Sequence, residues 1–278
     1  MMKVKILKYA FFLLSAASLI FMLLQSRNAG INCDEVLHYN HSLAVYNYFI
    51  TGGKDTSALH TPETHLKYYG QSYDNIATFI IKLTGIEDIY GFRHLMSAIA
   101  GWLTILVTAL LAVWCYGYGA GITVVLLFLM SPTFMGHAQN NLKDIPFALG
   151  YISGIFFSLR FFYSRKEISL TTTFLLVISL ALAMSIRAGG MLLLCYLGLL
   201  YVSYYGMRFL RHDEINRNEL IVRLVGVISA GMISFCLSIL LWPYALQKPV
   251  SNVLEAFRKM SDFPATFRLI FEGKMEWS

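Results

Sequence analysis

Seven separate apolar runs punctuate this chain, near residues 6–24, 95–115, 120–136, 146–163, 168–186, 188–206 and 221–242. Each is long enough, or nearly so, to cross about 30 Å of hydrocarbon at roughly 1.5 Å per helical residue. Backbone that leaves water must satisfy its N–H and C=O groups internally, so runs of this length fold as helices. The chain is 57% hydrophobic and 14% charged, against about 25% charged in an average soluble domain. A soluble globular fold is excluded, and so is a single-anchor protein. The sequence predicts an all-α polytopic membrane protein of about seven transmembrane helices.

The net charge of +6 is then a topological signal, and no nucleic-acid partner is expected. Lys3, Lys5 and Lys8, then Arg160, Arg165 and Lys166, then Arg208, Arg211, Arg217 and Arg223 cluster in alternate short loops. This places the N-terminus in the cytoplasm. The first run could be read as a signal peptide, but its apolar core continues to Leu24, and Gln25-Ser26-Arg27-Asn28 offers no small-x-small cleavage site. It is expected to stay as a helix. Residues 1–242 then form the transmembrane domain, with a large extracytoplasmic loop at 28–94 and an extracytoplasmic C-terminal segment at 243–278. No charged residue lies near the middle of a run, which counts against an ion-coupled transporter. Cys33, Cys115, Cys195 and Cys236 stand far apart, with neither zinc-site spacing nor a disulfide framework.

The loop is patterned where a passive connector would be rich in Gly, Ser and Pro. Val36, Tyr39, Leu43, Tyr46 and Ile50 recur at three- and four-residue steps and predict a helix over 34–50. Asp34, His38 and His41 fall on another face of that helix, with Glu35 beside them. Asp34 has two readings: a carboxylate that caps the helix N-terminus, or a general base at the membrane surface. A second stretch, Asp74 to Leu83, spaces Ile76, Phe79, Ile80 and Leu83 as an amphipathic helix too short to span, expected to lie in the interface. His60, Glu63 and His65, or Asp34, His38 and His41, could contribute metal ligands. Neither set closes a recognised three- or four-ligand pattern.

Residues 131–145 are expected to form a turn between two spans, yet they carry far more polar functionality than a turn needs. Lys143 offers a point charge suited to phosphate, Asp144 a second carboxylate, and Pro146 a start for the next helix. Arg187, followed by Ala188-Gly189-Gly190, falls at a tight turn where glycine lets backbone approach a ligand, and Arg93 lies at the mouth of the second span. Each of these cations could equally be an interfacial anchor.

Four segments taken together resemble the GT-C membrane glycosyltransferases, in the group of dolichyl-phosphate-mannose protein mannosyltransferase-like and aminoarabinose transferase-like enzymes. They are Asp34-Glu35 after the first span, His60 to Gly70 ending Lys67-Tyr68-Tyr69-Gly70, Arg93-His94-Leu95-Met96-Ser97-Ala98, and Ser131-Pro132 through Pro146 with its Gly136-His137 and Lys143-Asp144-Ile145-Pro146 elements. The resemblance covers roughly residues 6–210. It implies a GT-C-like fold and transfer of a sugar from a polyprenyl-phosphate donor to an extracytoplasmic protein, lipid or glycan, as in protein glycosylation, with inversion. It makes Asp34 the base, lets Glu35 and Asp144 orient hydroxyls, and sets Arg93, Lys143 and Arg187 on the departing phosphate, with His137 and Tyr69 in the substrate-binding stretches. No cofactor is required, and a divalent metal is left open because family members differ. The expected location is a bacterial inner membrane rather than the endoplasmic reticulum. Family members are about twice as long, so the expectation is an N-terminal part that works with a separate C-terminal half. The rival readings are a catalytically silent fragment of the same fold and a transporter or lipid flippase.

Overall fold

The computed structural model describes residues 2–61, 65–164, 169–261 and 268–277. The chain is helical almost throughout. Helix α1 (Met2–Ser26) leads into α2 (Cys33–Ile50), two single 3-10 turns, and α3 (Ser72–Thr84). Then follow α4 (Ile89–Tyr116), α5 (Tyr118–Leu129), α6 (Pro132–Asn140), α7 (Asp144–Tyr163) and α8 (Leu170–Ile186). A 3-10 turn at Ala188–Met191 joins α9 (Leu192–Leu210) to α10 (Arg217–Ile239), α11 (Pro243–Gln247) and α12 (Pro249–Ser261). An antiparallel hairpin ends the described residues, β1 (Arg268–Phe271) with β2 (Lys274–Trp277), turning on Glu272 and Gly273, both at positive φ.

Among the described residues five helices, α1, α4, α7, α9 with its preceding 3-10 turn, and α10, are long and apolar enough to cross a membrane. Their outward faces carry exposed large apolar side chains such as Leu13, Leu199, Val202 and Met232, as a lipid solvent requires. The chain is a membrane protein. Two expected spans take other forms. The run at 120–136 is not one straight helix: α5 and α6 meet at a 74° bend. Pro132 lacks an N–H and forces the preceding residue out of the α region, and Ser131 is accordingly extended at φ −89°, ψ 102°. Residues 132–140, expected as part of a turn, are thus a helix running across the bundle end. The run at 168–186 becomes α8, at 17 residues shorter than the others.

The bundle is drawn together by small residues, the usual means of close helix approach where lipid supplies no hydrophobic drive. A Cβ on Gly150 of α7 would come within 2.7 Å of the Ala183 backbone nitrogen on α8. At one end α2, α3, α11 and α12 lie across the helix ends as a cap. Gly70 packs so tightly on the carbonyl of Ser185 that any side chain there would collide with it. Beside it the Ser72 and Ser185 hydroxyls meet at 2.5 Å, Asn75 Nδ2 donates to the Leu241 carbonyl at 2.9 Å, and Trp242 Nε1 donates to the Lys67 carbonyl at 2.8 Å. At the opposite end Arg223 is buried. Its Nη1 donates to the Phe161 carbonyl at 2.6 Å and its Nε to Glu219 at 3.1 Å, so it satisfies a carbonyl that α7 leaves without an intrahelical partner.

Candidate functional site

Asp34, Glu35, Arg93, His137, Lys143 and Asp144 converge at the capped end, where the start of α2, the α6–α7 junction and the first turns of α4 and α7 meet. Asn32, not Asp34, caps α2. The Asn32 side chain accepts from the Glu35 N–H at 3.0 Å while the Glu35 carboxylate accepts from the Asn32 N–H at 3.1 Å, a complete capping box. Asp34 is therefore released from the capping role that sequence left open for it. Its carboxylate is 64% exposed and lies 3.5 Å from Lys143 Nζ. Glu35 is held on both sides: besides the cap, its Oε2 lies 3.2 Å from His94 Nε2, with both side chains buried.

The loop between α6 and α7 is organised by Asn141. Its Oδ1 accepts from the Lys143 and Asp144 N–H groups at 3.1 and 2.8 Å, doing for the start of α7 what an N-cap does. Its Nδ2 donates to Asp144 Oδ2 at 3.0 Å and lies 3.2 Å from His137 Nδ1. Its own N–H donates to Ser97 Oγ at 3.1 Å. Asn32 Nδ2 on the Asn140 carbonyl, and Asn140 Nδ2 on the Gly30 carbonyl, tie this loop to the entry of α2. Asp144 forms an ion pair with Arg187, whose guanidinium lies 6.0 Å from the Tyr69 ring centre and 5.9 Å from that of Phe147. Lys143 faces the same Tyr69 ring at 5.9 Å. Burial pushes the Tyr69 phenol up, partly offset by Arg187, so it remains a proton donor at neutral pH.

Behind this rim the site is buried and charged. Arg93 is 1% exposed and lies 2.5 Å from Asp74 on α3, with its guanidinium over the Tyr39 ring at 5.3 Å. Sequence had set Arg93 at the mouth of its helix, but α4 begins at Ile89, so Arg93 lies a full turn inside and forms the inner wall. A cavity of about 180 Å³ lies between wall and rim, lined among others by Asp34, Glu35, His38, Asp74, Arg93 and Lys143. His137, Asn140 and Asn141 complete that lining. A second cavity of about 250 Å³, lined by Tyr69, Phe147, Arg187, Gly189 and Met260, shares the Arg187–Tyr69 group at the rim.

The histidines divide. His38 lines the cavity and burial lowers its pKa, partly offset by Asp74; His41, also buried, is not in that lining, and burial lowers its pKa to about 4. Asp34, His38 and His41 thus do not close on one point, and no group of three His, Cys, Asp or Glu side chains among the described residues is placed to hold a metal ion. His60 is exposed, His65 stacks on Tyr68 with ring centres 6.3 Å apart, and Glu63 lies outside the described residues. Sequence reasoning missed Asp74 and Asn141. The amphipathic stretch at 74–83 was read for its apolar face, which α3 turns outward at Ile76 and Leu83, while Asp74, Asn75 and Thr78 face the protein. The signal available was that polar face itself. No protein-family model, curated protein or solved structure matches the chain.

Proposed function

We propose that the capped end is the active site of a membrane glycosyltransferase that moves a sugar from a polyprenyl-phosphate donor to a hydroxyl of an acceptor, with this end extracytoplasmic. The observation that carries the reading is a carboxylate and a lysine brought together at one polar cavity. Asp34 stands exposed at the edge of a polar cavity with a lysine at 3.5 Å, at the end of a bundle made to sit in lipid. Asp34 takes the proton from the acceptor hydroxyl as that oxygen forms its bond to the anomeric carbon. The bond from that carbon to the phosphate oxygen breaks, its electron pair leaves with the polyprenyl phosphate, and the configuration inverts.

Lys143 suits the departing phosphate: its side chain is only 17% exposed and its ammonium is already oriented by Asp34. A phosphate arriving at Lys143 would also compete with Asp34 for it and weaken that ion pair as the carboxylate accepts a proton. Arg187, paired with Asp144, stands at the rim as a second cation. Glu35, fixed by its cap and by His94, belongs to the wall that holds the sugar. The scheme calls on no metal. Activity lost to a chelator and restored by a divalent ion would replace Lys143 as the phosphate ligand.

The test is transfer of label from radiolabelled polyprenyl-phosphate sugars in membranes carrying the chain, with Asp34→Asn alongside. General-base loss predicts a fall of roughly 10²–10⁴-fold with an unchanged amount of folded protein. Turnover near the parental rate in Asp34→Asn would remove Asp34 from the mechanism.

A further inference from the structure

The wall of the cavity holds more polar capacity than the protein itself uses. Arg93 Nε and Nη1 are buried with no hydrogen-bond partner, His38 Nδ1 is buried with only the Gln71 side chain beside it and no hydrogen bond of normal geometry, and Glu35 Oε1 is near His94 but makes no hydrogen bond. All three residues are more than nine-tenths buried and all line the same cavity. Buried polar groups are nearly always satisfied, and each one left without a partner costs on the order of 1–3 kcal/mol. Several on one cavity mark a place where something else supplies the partners.

The chemistry of that partner can be read from the atoms. Arg93 offers only donors; Glu35, as a carboxylate, offers only an acceptor; His38, which burial keeps neutral, offers one or the other according to tautomer. The phosphodiester of such a donor accepts and cannot donate, and the lining sets three carboxylates, Asp34, Glu35 and Asp74, against the two cations Arg93 and Lys143. A second anion is disfavoured there. Hydroxyl groups both donate and accept, and a neutral polyol adds no charge to a site whose charges already nearly cancel. Size narrows the ligand further, since about 180 Å³ falls below the roughly 300–1,000 Å³ typical of pockets for drug-sized ligands.

We infer that the inner end of this cavity, bounded by Glu35, His38 and Arg93, is a recognition subsite for one neutral monosaccharide unit, with the phosphate confined to the Lys143 rim. The inference rests on the transferase reading for its choice of a sugar and on the cavity for its place. It makes this a site that handles single sugar units and rejects oligosaccharide blocks.

The test reads binding without chemistry. Saturation-transfer NMR on the purified full chain in detergent would use the methyl glycosides of mannose, glucose, galactose and arabinose, with maltotriose and inorganic phosphate as separate samples. At least one methyl glycoside should receive saturation. His38→Leu should weaken its binding at least tenfold, His38→Gln less, and His41→Gln, at a buried histidine outside the lining, not at all. The thermal midpoint of each variant shows whether it is folded. No transfer to any glycoside, equal transfer to maltotriose, or binding indifferent to His38→Leu would overturn the subsite. Glycoside binding as described with no label transfer from a polyprenyl-phosphate sugar would leave the subsite standing and sink the transferase. Label transfer without glycoside binding would do the reverse.

Discussion

Each end of the bundle buries an arginine, and the two are treated in opposite ways. Arg223 spends its donors on the Phe161 and Phe162 carbonyls and on Glu219, which also accepts from Arg208. Arg93 has Asp74 at 2.5 Å and the Tyr39 ring, and leaves Nε and Nη1 without a hydrogen bond. A buried charge is tolerated when it is paired and its donors are satisfied. Arg223 meets that condition and closes a helix end. Arg93 meets half of it, and what it lacks opens on a cavity. Side chains of the same type, similarly buried, are separated into structural and functional by whether their hydrogen bonds close within the protein.

The largest expected effects test this contrast by removing each pair whole. Removing Arg93 alone strands the Asp74 carboxylate, and removing one partner of a buried ion pair costs roughly 3–5 kcal/mol. The double variant Arg93→Met with Asp74→Leu should cost far less, within about 1 kcal/mol of parent, because a buried pair replaced by apolar residues is often neutral. It should nevertheless lose sugar binding. The matching double variant at the other end, Arg223→Met with Glu219→Leu, should stay destabilised by roughly 2–4 kcal/mol, since the Phe161 carbonyl and Arg208 lose their partners. Denaturation midpoints of the four proteins check the pattern. Equal losses in the two double variants would break the comparison.

Acid should separate the ends next. His38 and His41 have pKa values lowered by burial, His41 from 6.5 to about 4. The folded state then binds fewer protons than the unfolded chain between those values, so stability is whole above pH 6.5 and falls as pH drops toward 4. For His41 the full loss is on the order of 3 kcal/mol. Both histidines are on α2, so amide protection factors in α2 and α3, taken against the intrinsic exchange rate at each pH, should fall between pH 7 and 4.5 while those of α9 and α10 hold. His41→Gln should flatten the dependence. Uniform loosening at both ends would mean that global charge, not these two imidazoles, sets the response.

Five of the seven expected spans were legible because hydrophobic length alone specifies a helix in lipid, and Asp34 and Lys143 were each conspicuous as charges beside such spans, though not as neighbours. What sequence could not supply was which polar groups are already spoken for. Asp34 and Glu35 are adjacent and chemically alike, yet Asn32 two residues before Asp34 claims Glu35 for its capping box and leaves Asp34 outside it. The same holds for the break at Pro132: hydropathy runs smoothly through 120–136, and the 74° bend comes from backbone sterics that an apolar count ignores. Asp74 was hidden because attention to an amphipathic helix goes to its apolar stripe, whereas α3 buries the polar one against Arg93.

Asn141 offers the smallest effect and the finest division between structure and function. It touches four residues of the site, Ser97, His137, Lys143 and Asp144, but as a cap its loss should cost only about 1 kcal/mol of stability. Asn141→Ala removes the acceptor that holds the Lys143 and Asp144 N–H groups and the donor that holds the Asp144 carboxylate. Asn141→Asp restores the acceptor and not the donor, and sets a second negative charge beside Asp144. Were Asn141 only a cap, Asp would rescue both stability and transfer, since the two residues cap equally well. If it positions Lys143 and Asp144 for the donor, Asp should rescue the melting midpoint while transfer stays down at least tenfold with a raised KM for the polyprenyl-phosphate sugar. Rescue of transfer as well as stability would return Asn141 to the structural side, with Arg223.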